Sequence, residues 1–166
     1  MRIVFLLFTT FLLLAGCGSD SSDPDTASAD RPMPVTPEQR LTVEAPWIRP
    51  APQGAVSALY MTIVNGTPAP DTLRAVRFAE ADSVEIHETV PMDDGSGMSG
   101  MREIGPLPLP PSTRVRLVPG GKHIMLMGLR RALSVGDTVT VGLDFSGPSP
   151  RQLTVPVQAT RPPAPP

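Results

Sequence analysis

An all-β domain, an antiparallel β-sandwich or barrel, is the fold class the sequence predicts, and three observations predict it. Apolar residues recur with period two rather than the 3.6 of a helix, Pro and Gly punctuate the intervals, and no stretch carries a helical stripe. The alternation is plainest near the C-terminus. There Val139, Val141, Leu143 and Phe145 share one face, with Thr138, Thr140, Gly142 and Asp144 on the other, and Leu153, Val155 and Val157 repeat the device. Short strands at such spacing suit a sandwich, and the stretch from Leu41 to Val157, about 117 residues, is long enough for one core.

Taken in order, the chain opens on Met1-Arg2, a short positive start, followed by an apolar run from Ile3 to Leu14 broken only by Thr9 and Thr10. The run is too short for a stop-transfer helix and reads as a secretory signal over residues 1–16. Leu14-Ala15-Gly16-Cys17 resembles the bacterial lipobox, in which the cysteine is lipidated and becomes the first residue. Cys17 is therefore the expected lipidation site, and the expected location is the bacterial cell envelope, facing the periplasm and lipid-anchored to a membrane. Residues 18–40, rich in Ser, Asp, Ala and Pro, have little to bury and read as a disordered tether with the lipidated Cys at its head. Some two dozen such residues reach roughly 25–30 Å, enough to hold a domain clear of headgroups.

The strand candidates are Leu41 to Val43, Val56 to Val64, Leu73 to Phe78, Ser83 to Val90, Thr113 to Val118, His123 to Leu126, Thr138 to Phe145 and Arg151 to Val157. Val64-Asn65-Gly66-Thr67-Pro68 marks a turn. Trp47 reads as packing at the start of the domain, and Met61, on the face opposite Tyr60, as gap-filling core. Residues 158–166, ending in Arg161-Pro162-Pro163-Ala164-Pro165-Pro166, read as an extended Pro-rich tail.

Charge and cysteine content exclude several functions. The chain carries 14 basic and 16 acidic groups, and removal of residues 1–16 takes Arg2, leaving 13 against 16 and a net charge near −3. That is no electrostatic footprint for nucleic acid. With Cys17 the only cysteine, an intramolecular disulfide, a Cys-x-x-Cys pair and a thiolate site of the blue-copper kind are all excluded.

The chemistry concentrates in Gly120-Gly121-Lys122-His123-Ile124-Met125-Leu126-Met127-Gly128-Leu129. Alternation places His123, Met125 and Met127 on one strand face and Ile124 and Leu126 on the other. The only other histidine, His87, lies in the strand-like Val84-Glu85-Ile86-His87-Glu88-Thr89-Val90. Between the two lies Pro91 to Met101, read as a Gly-rich loop with Met92, Met98 and Met101. Imidazole suits several transition metals, whereas thioether sulfur selects soft ions, above all Cu(I), so the residues point to a copper(I) site.

These stretches resemble the periplasmic PCuAC copper chaperones. The resemblance rests on Val84 to Thr89, Met101-Arg102 and above all Pro119 to Leu129, and spreads over roughly Trp47 to Val157, including Gly54-Ala55, Ala58 to Met61 and Asn65. The family pattern is His, ten residues, Met, twenty-one residues, His-x-Met. Here 21 residues separate Met101 from His123, but 13 separate His87 from Met101, so three extra residues fall around Asp93 to Gly100. The resemblance assigns the metal to His87, Met101, His123 and Met125, with Met98, which keeps the ten-residue interval, as the alternate; Met127 is a further thioether at hand. It implies a cupredoxin-like antiparallel β-sandwich with Greek-key connections, binding one Cu(I) without being an enzyme. It also implies delivery towards the CuA centre of cytochrome c oxidase subunit II, in company with a Sco-type thiol protein. Two other readings remain: a copper-buffering or sequestering lipoprotein without a dedicated recipient, and a zinc-dependent hydrolase using the histidines with Glu85 or Glu88.

Overall fold

The computed structural model describes residues 33–34, 40–92, 98–147 and 151–160. Residues 1–32, among them the signal-like run and Cys17, lie outside the described residues, as do 35–39, 93–97, 148–150 and the end of the tail from 161. Among the described residues there is no helix. The strands are β1 (Met33–Pro34), β2 (Leu41–Ile48), β3 (Ser57–Asn65), β4 (Asp71–Arg77), β5 (Ser83–Pro91), β6 (Ser99–Glu103), β7 (Leu107–Leu109), β8 (Thr113–Leu117), β9 (Lys122–Met127), β10 (Thr138–Phe145) and β11 (Arg151–Pro156).

They form the antiparallel β-sandwich that the period-two pattern predicts. A seven-stranded sheet runs β1-β8-β3-β9-β5-β6, with β2 also on β3, and a four-stranded sheet runs β11-β10-β4-β7. The facing sides enclose one core. Leu59, Ile63, Ile86, Ile124 and Leu126 come from the large sheet, and Leu73, Leu109, Val141 and Leu143 from the small one. The β10 alternation holds as read, with Val139, Val141, Leu143 and Phe145 all buried. Met61 is 2% exposed in this core, the gap-filling place assigned to it.

Strand β3 is buried along its whole length because neighbours flank it on both sides: β2 on one edge, β8 and β9 on the other. At its end the buried Asn65 joins the two sheets. Its amide nitrogen donates to the carbonyls of Ala69 and Leu109, each at 2.9 Å, and its carbonyl oxygen accepts from the Thr67 amide and hydroxyl at 3.1 and 2.8 Å. Every hydrogen-bonding site of the side chain is thus used on one turn and one β7 carbonyl.

Three strands escape the sequence pattern. Strand β7 is Leu-Pro-Leu, and it tolerates Pro108 because it is an edge strand, where the missing N–H faces no partner. Strand β1 lies within the stretch read as tether and pairs Met33 with Arg114 and Pro34 with Thr113. Strand β6 corrects the reading of Pro91 to Met101 as a loop. Ser99 to Glu103 pairs with β5, so Met101 stands on a strand, while positions 93–97 lie outside the described residues. Strand β2 also runs on past Val43 to Ile48 through a bulge. Ala45 and Pro46 oppose the single residue Met61, with Ala45 at a φ of 44°. The bulge sets Trp47 directly opposite Tyr60.

Candidate metal centre

In an antiparallel pair, residues directly opposite each other project to the same face. The β5–β9 register sets His87 opposite His123 and Glu85 opposite Met125. The β5–β6 register sets Glu103 opposite His87 and Met101 opposite Thr89. His87, His123, Met125, Glu85 and Met101 therefore share the outer face of the large sheet, while Ile86, Ile124 and Leu126 between them turn into the core. Met125 is paired on its other side with Ala58 of β3, which brings Ala58, Tyr60 and, across the bulge, Trp47 onto the same outer face. These last three form a small apolar cluster separate from the main core.

The rings make a continuous row across four strands. Ring centres lie 4.6 Å apart for Trp47 and Tyr60, 6.4 Å for Tyr60 and His123, and 6.2 Å for His123 and His87. The apolar end shields one side of the histidine pair: His123 is 5% exposed and the His87 side chain 13%. Burial pushes the Tyr60 phenol above its usual range, with nearby Arg49 opposing, so the row keeps a neutral phenol at neutral pH.

The ring nitrogens are unevenly employed. His123 Nδ1–H donates to the Gly121 carbonyl at 2.9 Å, a bond within its own turn that leaves Nε2 with its lone pair. His87 Nε2–H donates to Glu85 Oε2 at 2.8 Å, across one alternation of β5. The remaining nitrogen, His87 Nδ1, is buried and has no hydrogen-bond partner among the described residues. Such an orphan costs about 1–3 kcal/mol in the absence of a ligand. An imidazole nitrogen lies on the order of 1 Å from its ring centre and about 2 Å from a metal it binds. Two rings 6.2 Å apart therefore have the spacing at which one ion fits between them.

The thioethers sit around this pair at different ranges. Met125 is half-buried, two residues from His123 and opposite Glu85. Met101 is 63% exposed and stands on the edge strand opposite Thr89, diagonal to His87. Met98 is 59% exposed and stands just before β6, outside the β5–β6 register, where its carbonyl accepts from the Met92 amide. Met127 lies opposite Ser83, two alternations along β9 from His123. The reverse face of the hairpin carries Glu88, paired with Lys122 of β9 at 3.0 Å and Arg102 of β6 at 3.3 Å, which ties together the three strands that bear the site. Among the described residues no three His, Cys, Asp or Glu side chains come together as a metal cluster. The donor set is soft. The sequence pattern singled out both histidines and the thioethers but not the Trp47–Tyr60 row, for which the only signal was an aromatic residue on the His face of a neighbouring strand.

This two-sheet antiparallel sandwich is similar to solved PCuAC domains. The copper-bound PCuAC domain from PmoF2 matches with a TM-score of 0.61 and 27% identity, over 78% of this chain and 99% of that one. The apo PCuAC domain from PmoF1 matches with the same TM-score of 0.61 and 27% identity, over 78% of this chain and all of that one. By sequence, the chain belongs to the LpqE-like family, described as "Putative lipoprotein LpqE-like", which matches residues 41–157. A protein of Leifsonia xyli subsp. xyli, named as a lipoprotein of that organism, is 33% identical over 122 residues, 71% of this chain and 69% of the relative.

Proposed function

We propose that the protein is a copper chaperone of the cell envelope, carrying one Cu(I) on His87, His123, Met125 and Met101. The observation that carries this reading is the facing histidine pair, with a buried nitrogen on His87 that has no partner among the described residues and thioethers on the same sheet face. The solved copper-bound PCuAC domain supports the choice of metal. Copper is cargo here. Two imidazoles hold it, and thioethers, weak ligands that prefer Cu(I), complete the shell without adding charge. Met101, on an exposed edge strand, is the first ligand a partner can replace, so transfer proceeds by ligand exchange starting at that edge.

For the whole chain we propose removal of residues 1–16, lipidation of Cys17, a tether to residue 40, the metal-binding sandwich over 41–157 and a Pro-rich tail over 158–166. The family description as a lipoprotein supports the anchor, and Cys17→Ala should release the protein from membranes in detergent phase partitioning. Delivery towards the CuA centre of cytochrome c oxidase subunit II, with a Sco-type partner, is the recipient the sequence motif supports.

Anaerobic titration against Cu(I) and Zn(II) chelators tests the reading. One tightly bound Cu(I), lost in His87→Ala and in His123→Ala, is the expected result. Preferential Zn(II) binding would overturn it in favour of a hydrolase. Tight Cu(I) binding without transfer to an apo CuA domain would favour copper buffering instead.

A further inference from the structure

We infer that Glu85 is the positioning residue of the metal site, holding His87 so that its ring presents Nδ1 to the ion while His123 presents Nε2. The inference rests on the copper reading above and adds which atoms bind and what orients them. The geometry is asymmetric. On His123 the Gly121 carbonyl occupies Nδ1–H at 2.9 Å, leaving Nε2 as the donor. On His87 the carboxylate of Glu85 occupies Nε2–H at 2.8 Å, leaving Nδ1, which is buried and has no partner among the described residues. A ring nitrogen that is buried, carries a lone pair and faces no donor is a site kept for a ligand.

Period two makes the arrangement possible. Glu85 and His87 are two residues apart on one strand, so both side chains stand on the same face and the carboxylate reaches the imidazole without a turn. Glu85 also stands directly opposite Met125, which places the carboxylate between a histidine and a thioether of the set. Two neutral imidazoles and two thioethers leave a bound Cu(I) with its full positive charge. The Glu85 carboxylate, about two-thirds buried with its side chain 33% exposed, balances that charge through His87 without entering the coordination shell. Hydrogen-bonded partners of this kind fix the tautomer of a ligand histidine and raise its basicity.

Long-range proton–nitrogen NMR on the ¹⁵N-labelled full chain tests the inference, with and without Cu(I). Metal-free protein should show His87 as the Nε2–H tautomer and His123 as the Nδ1–H tautomer. Cu(I) should then shift His87 Nδ1 and His123 Nε2 most. In Glu85→Ala the His87 tautomer preference should be lost and Cu(I) affinity should fall about 10- to 100-fold. Glu85→Gln, whose amide oxygen still accepts from Nε2–H, should keep the tautomer and lose less affinity; its amide spectrum checks that the sheet is intact. A purely structural role for Glu85 would leave the tautomer unmoved. Coordination of His87 through Nε2, or an unchanged tautomer and affinity in Glu85→Ala, would overturn the inference and leave the chaperone reading standing. Failure of the unaltered protein to bind Cu(I) at all would overturn both.

Discussion

Met101 and Met98 stand three residues apart, yet only Met101 lies within the β5–β6 register. Counting from His87 favours Met98 and counting from His123 favours Met101; we propose the second, since Met101 stands on β6 on the face of the histidines. Met101→Ala should weaken Cu(I) binding by roughly tenfold, on the order of 1.4 kcal/mol, and Met98→Ala by clearly less, as competition titrations would show. A larger loss for Met98 would place the three extra residues on the other side of the ligand. Tyr60 gives a prediction of a different kind. Burial raises its pKa in the folded protein, so above the ordinary value of about 10 the unfolded chain gives up a proton that the folded one keeps. Its contribution is therefore complete below that pH and is lost as pH rises through the folded value. Denaturant unfolding from pH 8 to 11 should show stability falling above about pH 10, and Tyr60→Phe should flatten the fall. Both histidines and the His-x-Met step were legible in the sequence because chemistry fixes residue type. The roles of individual ring nitrogens were not, because they depend on which neighbours the register supplies.

At the scale of elements, legibility followed burial on one face. Strand β10 announces itself because one side meets the core and the other meets water. Strand β6 does not, because Ser99-Gly100-Met101-Arg102-Glu103 is mostly exposed and carries no apolar alternation. It is a strand only because β5 offers it a ladder. Strand β7 was hidden by its proline, which only an edge position accommodates. The β2 bulge was hidden too, since an alanine at positive φ leaves no compositional trace. Asn65, read simply as part of a turn, proves to be a joint between sheets. Asn65→Ala would orphan the Leu109 carbonyl and take the acceptor from the Thr67 amide, while the Ala69 carbonyl keeps the Thr67 hydroxyl, and should destabilise the protein by about 2–4 kcal/mol, measurable by urea unfolding. A loss below about 0.5 kcal/mol would mean that water replaces both bonds.

For the molecule as a whole, the candidate centre and the core occupy opposite faces of one sheet. Ile86, Ile124 and Leu126 build the sandwich while their immediate neighbours His87, His123 and Met125 face away from it. Side chains on the outer face can therefore rearrange without repacking the interior, and the antiparallel architecture was readable from sequence for the same reason: one face is committed to burial. The row of rings that begins at the β2 bulge has an optical consequence. Trp47 is the single tryptophan of the chain, and its indole stands 4.6 Å from the Tyr60 ring, which stands 6.4 Å from His123. Loading the histidine pair should alter the intrinsic emission in proportion to occupancy, without any attached dye. In Trp47→Phe the signal should vanish while chelator competition still records binding, and an emission that stays constant through a full titration would show that the row does not couple the indole to the metal. On the copper reading proposed above, the protein would carry its own gauge of whether it is loaded.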